Sequence, residues 1–129
     1  MLFIGGVKIT LIISILTIIL GTIFGILMAF MKMSKIRPLR WFANAYVEFI
    51  RGTPVLVQIS LVFYGLPMMG VHIPSIMIGG TDISRLAAGI IALTINTTAY
   101  ICEIVRGGIL SVDRGQTEAS LALGMGKTR

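Results

Sequence analysis

Acidic side chains are scarce in this sequence: 5 Asp and Glu stand against 11 Lys and Arg. Cysteine and histidine occur once each, as Cys102 and His72. A single cysteine excludes an internal disulfide. Its neighbours Tyr100, Ile101 and Glu103 make no metal-ligand set, which leaves a packed thiol. His72 sits in a Gly- and Pro-rich stretch with no second ligand beside it and receives no chemical role. The acids are dispersed, so the sequence offers neither a nucleophile–base pair nor a metal cluster. No catalytic, cofactor-binding or metal-binding residue is assigned, and the chain is read as a non-enzyme.

Charge of either sign is also rare. Only 12% of the residues are charged and 56% are hydrophobic, whereas a soluble domain carries roughly 25% charged residues. A domain of 129 residues folded in water keeps much of its surface exposed, too much for this apolar content. The net charge of +6 suits either nucleic acid or anionic lipid. The placement of the charges selects lipid, and no nucleic-acid partner is expected.

Three long apolar stretches are present, at about residues 9–31, 41–64 and 86–110. The first has no charged residue and is long enough to cross a hydrocarbon core of roughly 30 Å. It exceeds a signal-peptide core and ends in Lys32 without a cleavage site, so it is read as a retained span. The second is interrupted by Glu48, Arg51 and Pro54, and the third carries Asn96, Thr97 and Thr98 near its middle. Between them, Gly65–Ser84 reads as an interfacial loop with room for a short surface helix. Basic residues cluster in loop one (Lys32, Lys35, Arg37, Arg40) and in the tail (Arg114, Lys127, Arg129). Excess Lys and Arg mark the cytoplasmic side, which puts the N-terminus outside and the tail inside. Loop two holds no Lys or Arg until Arg85 at its edge, and Lys8, a mild exception, can snorkel. The fold class is therefore all-α: a polytopic transmembrane helical bundle.

Gly21, Gly25 and Ala29 recur every four residues and lie on one helix face. They give a groove in which another helix can approach closely. Glu48 with Arg51, and Glu103 with Arg106, are spaced three apart, within reach on one face. Such groups either line a bundle interior or polar cavity, or snorkel to the headgroups. Asn96 and Thr97 lie deeper and serve either a polar pathway or hydrogen bonding between helices. Arg51-Gly52-Thr53-Pro54 breaks or bends the second span, since proline lacks the backbone donor. The result is either a plain kink or a discontinuous helix beside a cavity.

After the third span, Asp113 and Gln116 suit a helix start and Gly124 a helix stop. Glu118 lies early enough to favour the helix dipole. So short a helix is not stable alone in water and must dock, on a membrane surface or in a groove of a soluble partner. Gly126-Lys127-Thr128 imitates the end of a phosphate-binding loop. The glycine required five residues earlier is Leu121, and the loop reading is rejected.

Glu118-Ala119-Ser120 followed by Gly124 resembles the EAA loop of ABC importer permeases, with Ser in place of the second Ala. Ala99-Tyr100-Ile101-Cys102-Glu103-Ile104-Val105-Arg106-Gly107-Gly108-Ile109 is similar to the span-three ending of the polar amino-acid branch (histidine, glutamine and arginine permeases). Tyr46–Pro54, Gln58 and Tyr64-Gly65-Leu66-Pro67 resemble that branch's second span. The resemblance implies a type I importer permease core, usually of five spans, in a bacterial cytoplasmic membrane. It implies as partners a second permease subunit, a pair of ABC-type ATPase subunits that use the ATP, and an external amino-acid-binding protein. The segment of about residues 113–126 becomes the coupling helix, with Gln116, Glu118, Ala119, Ser120 and Gly124 facing the ATPase. Glu48, Arg51, Asn96, Thr97 and Glu103 become candidates for the substrate path or for buried polar contacts. Family members continue past this loop, so the chain is expected to be a fragment truncated after it. The competing expectation is a small structural or assembly membrane protein, packing through its glycine face.

Overall fold

The computed structural model describes residues 2–71, 77–78, 81–82 and 84–125. His72 and Gly126–Arg129 lie outside them, and with those residues the imitation phosphate loop and the end of the expected coupling segment. α1 (Leu2–Met33) is a continuous helix of 32 residues. At 1.5 Å per residue it is long enough to cross a hydrocarbon core with turns to spare. Its run of Leu, Ile and Phe is lipid-compatible all round: Ile12, Ile15, Ile18, Ile19 and Ile23 are exposed. A short connection then leads to α2 (Arg37–Gly52), which carries proline in its first turn, where the missing N–H would be unpaired in any case.

The second apolar stretch is not one rod. α2 is followed by α3 (Val55–Ser60), a π-helical segment (Leu61–Gly65) and α4 (Leu66–Met68), which together form a second arm. The two arms are bent by 104°. The break has a local cause. Pro54 has no N–H to give to the carbonyl of Ile50, and Thr53 leaves the helical region at φ −113°, ψ 141°. The π turn has a similar one: it lies directly before Pro67, whose ring and missing donor are incompatible with a regular α turn. The Leu66 N–H accordingly reaches back five residues, to the carbonyl of Leu61.

In the following connection a small antiparallel hairpin forms, β1 (Met77–Ile78) pairing with β2 (Thr81–Asp82). The described part of the expected loop thus contains this hairpin; the helical residues there are the end of the second arm, not a separate surface helix. α5 (Ser84–Leu110) follows, then α6 (Arg114–Ala122).

α1 and α5 run in the same direction and form the main helix pair. A Cβ placed on Gly21 would lie 2.7 Å from the Thr97 methyl, and one on Gly25 would lie 2.7 Å from Ile101 Cβ and 3.2 Å from the Thr98 carbonyl. Only glycine allows this approach. Ala29, Val47, Ile50, Ala99 and Cys102 make the inner core where α2 joins the pair. A second cluster of Val62, Ala88 and Ala92 joins the π segment to the start of α5. Small residues dominate both clusters because, in lipid, close backbone packing rather than water exclusion holds helices together.

Candidate functional site

Polar chemistry concentrates in two places along α5. The upper one is centred on Gln58, only 7% exposed. Its Nε2 donates to the Ile50 carbonyl at 2.7 Å, the Thr53 carbonyl at 3.1 Å and Thr53 Oγ1 at 2.9 Å. The side chain therefore supplies the donor that Pro54 lacks. Thr53 Oγ1 in turn donates to the Phe49 carbonyl at 3.0 Å. Asn96 closes the seam from α5, its Nδ2 donating to Gln58 Oε1 at 3.1 Å. Tyr46 adds a link between α2 and α5 by donating its hydroxyl to the Ile95 carbonyl at 2.8 Å.

The lower cluster is ionic. Glu103 accepts from Lys32 of α1 through Oε1, and from Arg106 through Oε2 at 3.1 and 3.3 Å. Arg51 Nη1 stands 4.0 Å from the same Oε2, with its guanidinium over the Tyr100 ring at 5.5 Å. One carboxylate gathers three cations from three helices. Lys32 and Glu103 are 14% and 18% exposed, so their attraction is weakly screened by water. Among the described residues, no group of His, Cys, Asp and Glu could hold a metal.

Of the residues singled out from sequence, Glu103 and Arg106 meet. Glu48 and Arg51 form no ion pair: Glu48 is exposed, and Arg51 turns to Glu103 and Tyr100 instead. Asn96 and Thr97 part company, Asn96 facing Gln58 and Thr97 packing its methyl on Gly21. Gly21, Gly25 and Ala29 all face the α1–α5 seam or the core beside it. Lys32 and Gln58 were missed as site residues. Each carried a signal: Lys32 is the first charge after an apolar run, and Gln58 follows Pro54 by four positions, one helical turn.

α6 stands apart from both polar centres. Asp113 caps it, accepting from the Gly115 N–H at 2.7 Å. It ends at Gly124, φ +74°, with Met125 N–H bonded to the Ser120 carbonyl and Gly124 N–H to the Leu121 carbonyl, both at 3.0 Å. That is the glycine-terminated reverse turn that seals a helix end. Gln116, Glu118 and Ala119 are exposed and Ser120 is half-buried. Leu121 and Leu123 lie 50% and 81% exposed, an apolar edge uncovered among the described residues.

Residues 21–129 match the model of a family described as the binding-protein-dependent transport system inner membrane component. The chain belongs to this family. Its helices are those of a multi-pass membrane protein: among the described residues, two are long and apolar enough to cross a membrane, or three if the bent pair makes one span. The chain is similar to the arginine transport system permease protein ArtQ of Bacillus subtilis, 39% identical over 120 residues, which cover 93% of this chain and 51% of ArtQ. It is 40% identical over 121 residues to the L-cystine transport system permease protein TcyB of the same organism, covering 94% and 47% of the two chains. A solved structure, titled as a crystal structure of an amino acid ABC transporter with histidines, superposes with a TM-score of 0.82 at 43% identity. That superposition covers 98% of this chain and 55% of the solved one. The chain thus spans about half the length of the curated relatives it matches.

Proposed function

We propose that the full-length protein is a permease subunit of an ATP-driven importer of polar amino acids, and that this chain provides about half of its helical bundle. The reading rests on one observation above the others: α6 is a capped helix whose residues Glu118, Ala119, Leu121 and Leu123 are exposed among the described residues. A helix of 9 residues needs a docking surface to persist, and a cytoplasmic ATPase subunit supplies one. ATP is consumed by that partner, and this chain transmits the movement. An external binding protein delivers the amino acid, and a second permease subunit completes the pore. The basic end of the bundle, with Lys32, Lys35, Arg37, Arg40 and Arg106, faces the cytoplasm, and the N-terminus lies outside. Asn96, joined to Gln58 at the bend, borders the substrate path. Thr97, packed on Gly21, does not.

The test is copurification of the full-length permease with its ATPase, wild type against Glu118→Lys. The variant is expected to insert normally and to lose the ATPase and ATP-dependent uptake of labelled arginine or cystine in proteoliposomes. Unchanged copurification would remove α6 from the coupling role. If Asn96→Leu left uptake and substrate preference untouched, the path assignment would fall with it.

A further inference from the structure

The cations gathered around Glu103 outnumber the one carboxylate they share. Below the Glu103 cluster a cavity of about 460 Å³ opens between the end of α1, the start of α2 and the end of α5. Its lining is Lys32, Met33, Arg40, Asn44, Arg106 and Leu110. Three cations line it and no carboxylate does. Glu103 beside it is already bonded to Lys32 and Arg106. Counting Glu103 in, three positive charges minus one negative leave an excess of two. Arg40 makes no ion pair among the described residues, and its side chain is exposed.

Like charges converging from three helices repel one another, and at the boundary of the hydrocarbon region they are only partly hydrated. An anion seated among them relieves both penalties. The donors suit a phosphate: a guanidinium forks onto two of its oxygens, the Lys32 ammonium adds a point charge, and the Asn44 amide can donate. The rest of the lining, Met33 and Leu110, is apolar. Trp41 and Phe42, next to Arg40 on α2, are 74% and 55% exposed, where aromatic rings sit at the headgroup level. A soluble anion gains nothing from such walls, whereas the start of an acyl chain does. We propose that this cavity binds the phosphate group of an anionic phospholipid headgroup, with Arg40, Lys32 and Arg106 as its cationic contacts. Basic pockets between membrane helices suit this ligand class.

The experiment uses the full-length permease, stripped of lipid in neutral detergent and titrated with phosphatidylglycerol under native mass spectrometry. Arg40→Gln removes a cavity contact. Arg37→Gln makes the same charge change on the preceding turn, outside the cavity. Saturable binding is expected, weakened about fivefold by Arg40→Gln, as one basic contact to an anionic lipid implies, and unchanged by Arg37→Gln. Glycerol 3-phosphate distinguishes the two sources of the phosphate. Failure to bind it at concentrations where the lipid binds supports the headgroup. Equal or tighter binding of the soluble phosphate, with the same Arg40 dependence, overturns the lipid assignment. Equal effects of the two variants overturn the site. No saturable lipid binding overturns it as well, the result expected if the remainder of the permease fills the cavity.

Discussion

At Ile50 a carbonyl loses its helical partner to Pro54 and regains one from Gln58. Replacing Gln58 by leucine leaves that acceptor with only the longer 3.3 Å bond from Thr53 Oγ1, a loss expected toward the lower end of the about 1–3 kcal/mol that an unsatisfied buried group costs. Pro54→Ala restores the N–H. The pair is therefore expected to be non-additive: Gln58→Leu should destabilise the full-length permease less in a Pro54→Ala background, as read by thermal midpoints in detergent. Additive shifts would show that Gln58 does not stand in for the proline donor. Gly25 sets another residue-level limit. Gly25→Val drives side-chain carbon into Ile101 and the Thr98 carbonyl, already 2.7 and 3.2 Å from a bare Cβ, and overpacking of this kind costs about 1–3 kcal/mol. Gly52→Ala, which meets nothing within 4 Å, is the control and should hold or slightly raise the midpoint, since alanine favours the helix. Glu103→Gln leaves Lys32 and Arg106 without their counter-charge at 14% and 34% exposure. A loss of about 2 kcal/mol is expected, below the figure for a fully buried pair, read by the same thermal midpoint.

At the level of elements, the helices were legible where periodicity and composition acted alone. α1 needed only a charge-free apolar run, and α6 only its capping residues. Asp113 and Gly124 sit at the positions expected for a start and a stop because capping is local chemistry. The geometry of the second stretch was less legible. Pro54 announced a break, but the 104° between the arms depends on where Gln58 and Asn96 find each other across 38 positions, and no local rule contains that. Pair partners failed for the same reason. Spacing of three made Glu48 and Arg51 neighbours on α2, yet the tertiary field of Glu103 and the face of Tyr100 hold Arg51 instead. Gly124→Ala should fray the end of α6, because a side chain at φ +74° is strained by about 1–2 kcal/mol. Hydrogen exchange of the Gly124 and Met125 amides in the full-length protein would report it as faster exchange, and unchanged rates would mean that the reverse turn does not hold the helix end.

For the whole molecule, the uneven distribution of Lys and Arg predicts a direction in the membrane. With Cys102 replaced by alanine, a cysteine at Lys8 should react with an impermeant maleimide added outside intact cells, and one at Lys35 only after permeabilisation. The reverse pattern would invert the proposed topology. The tight seam between α1 and α5 also fixes an order of events during synthesis. Chains emerge from their N-terminal end, so α1 enters the bilayer while Thr97, Ile101 and Glu103 are still unmade. Until then Gly21 and Gly25 present a bare notch to lipid, and Lys32 waits at the membrane edge without its carboxylate. The contact that anchors the bundle therefore cannot close before α5 is made, and an interruption of translation before that point leaves α1 in the bilayer with its glycine notch unfilled and Lys32 unpaired for membrane quality control to find.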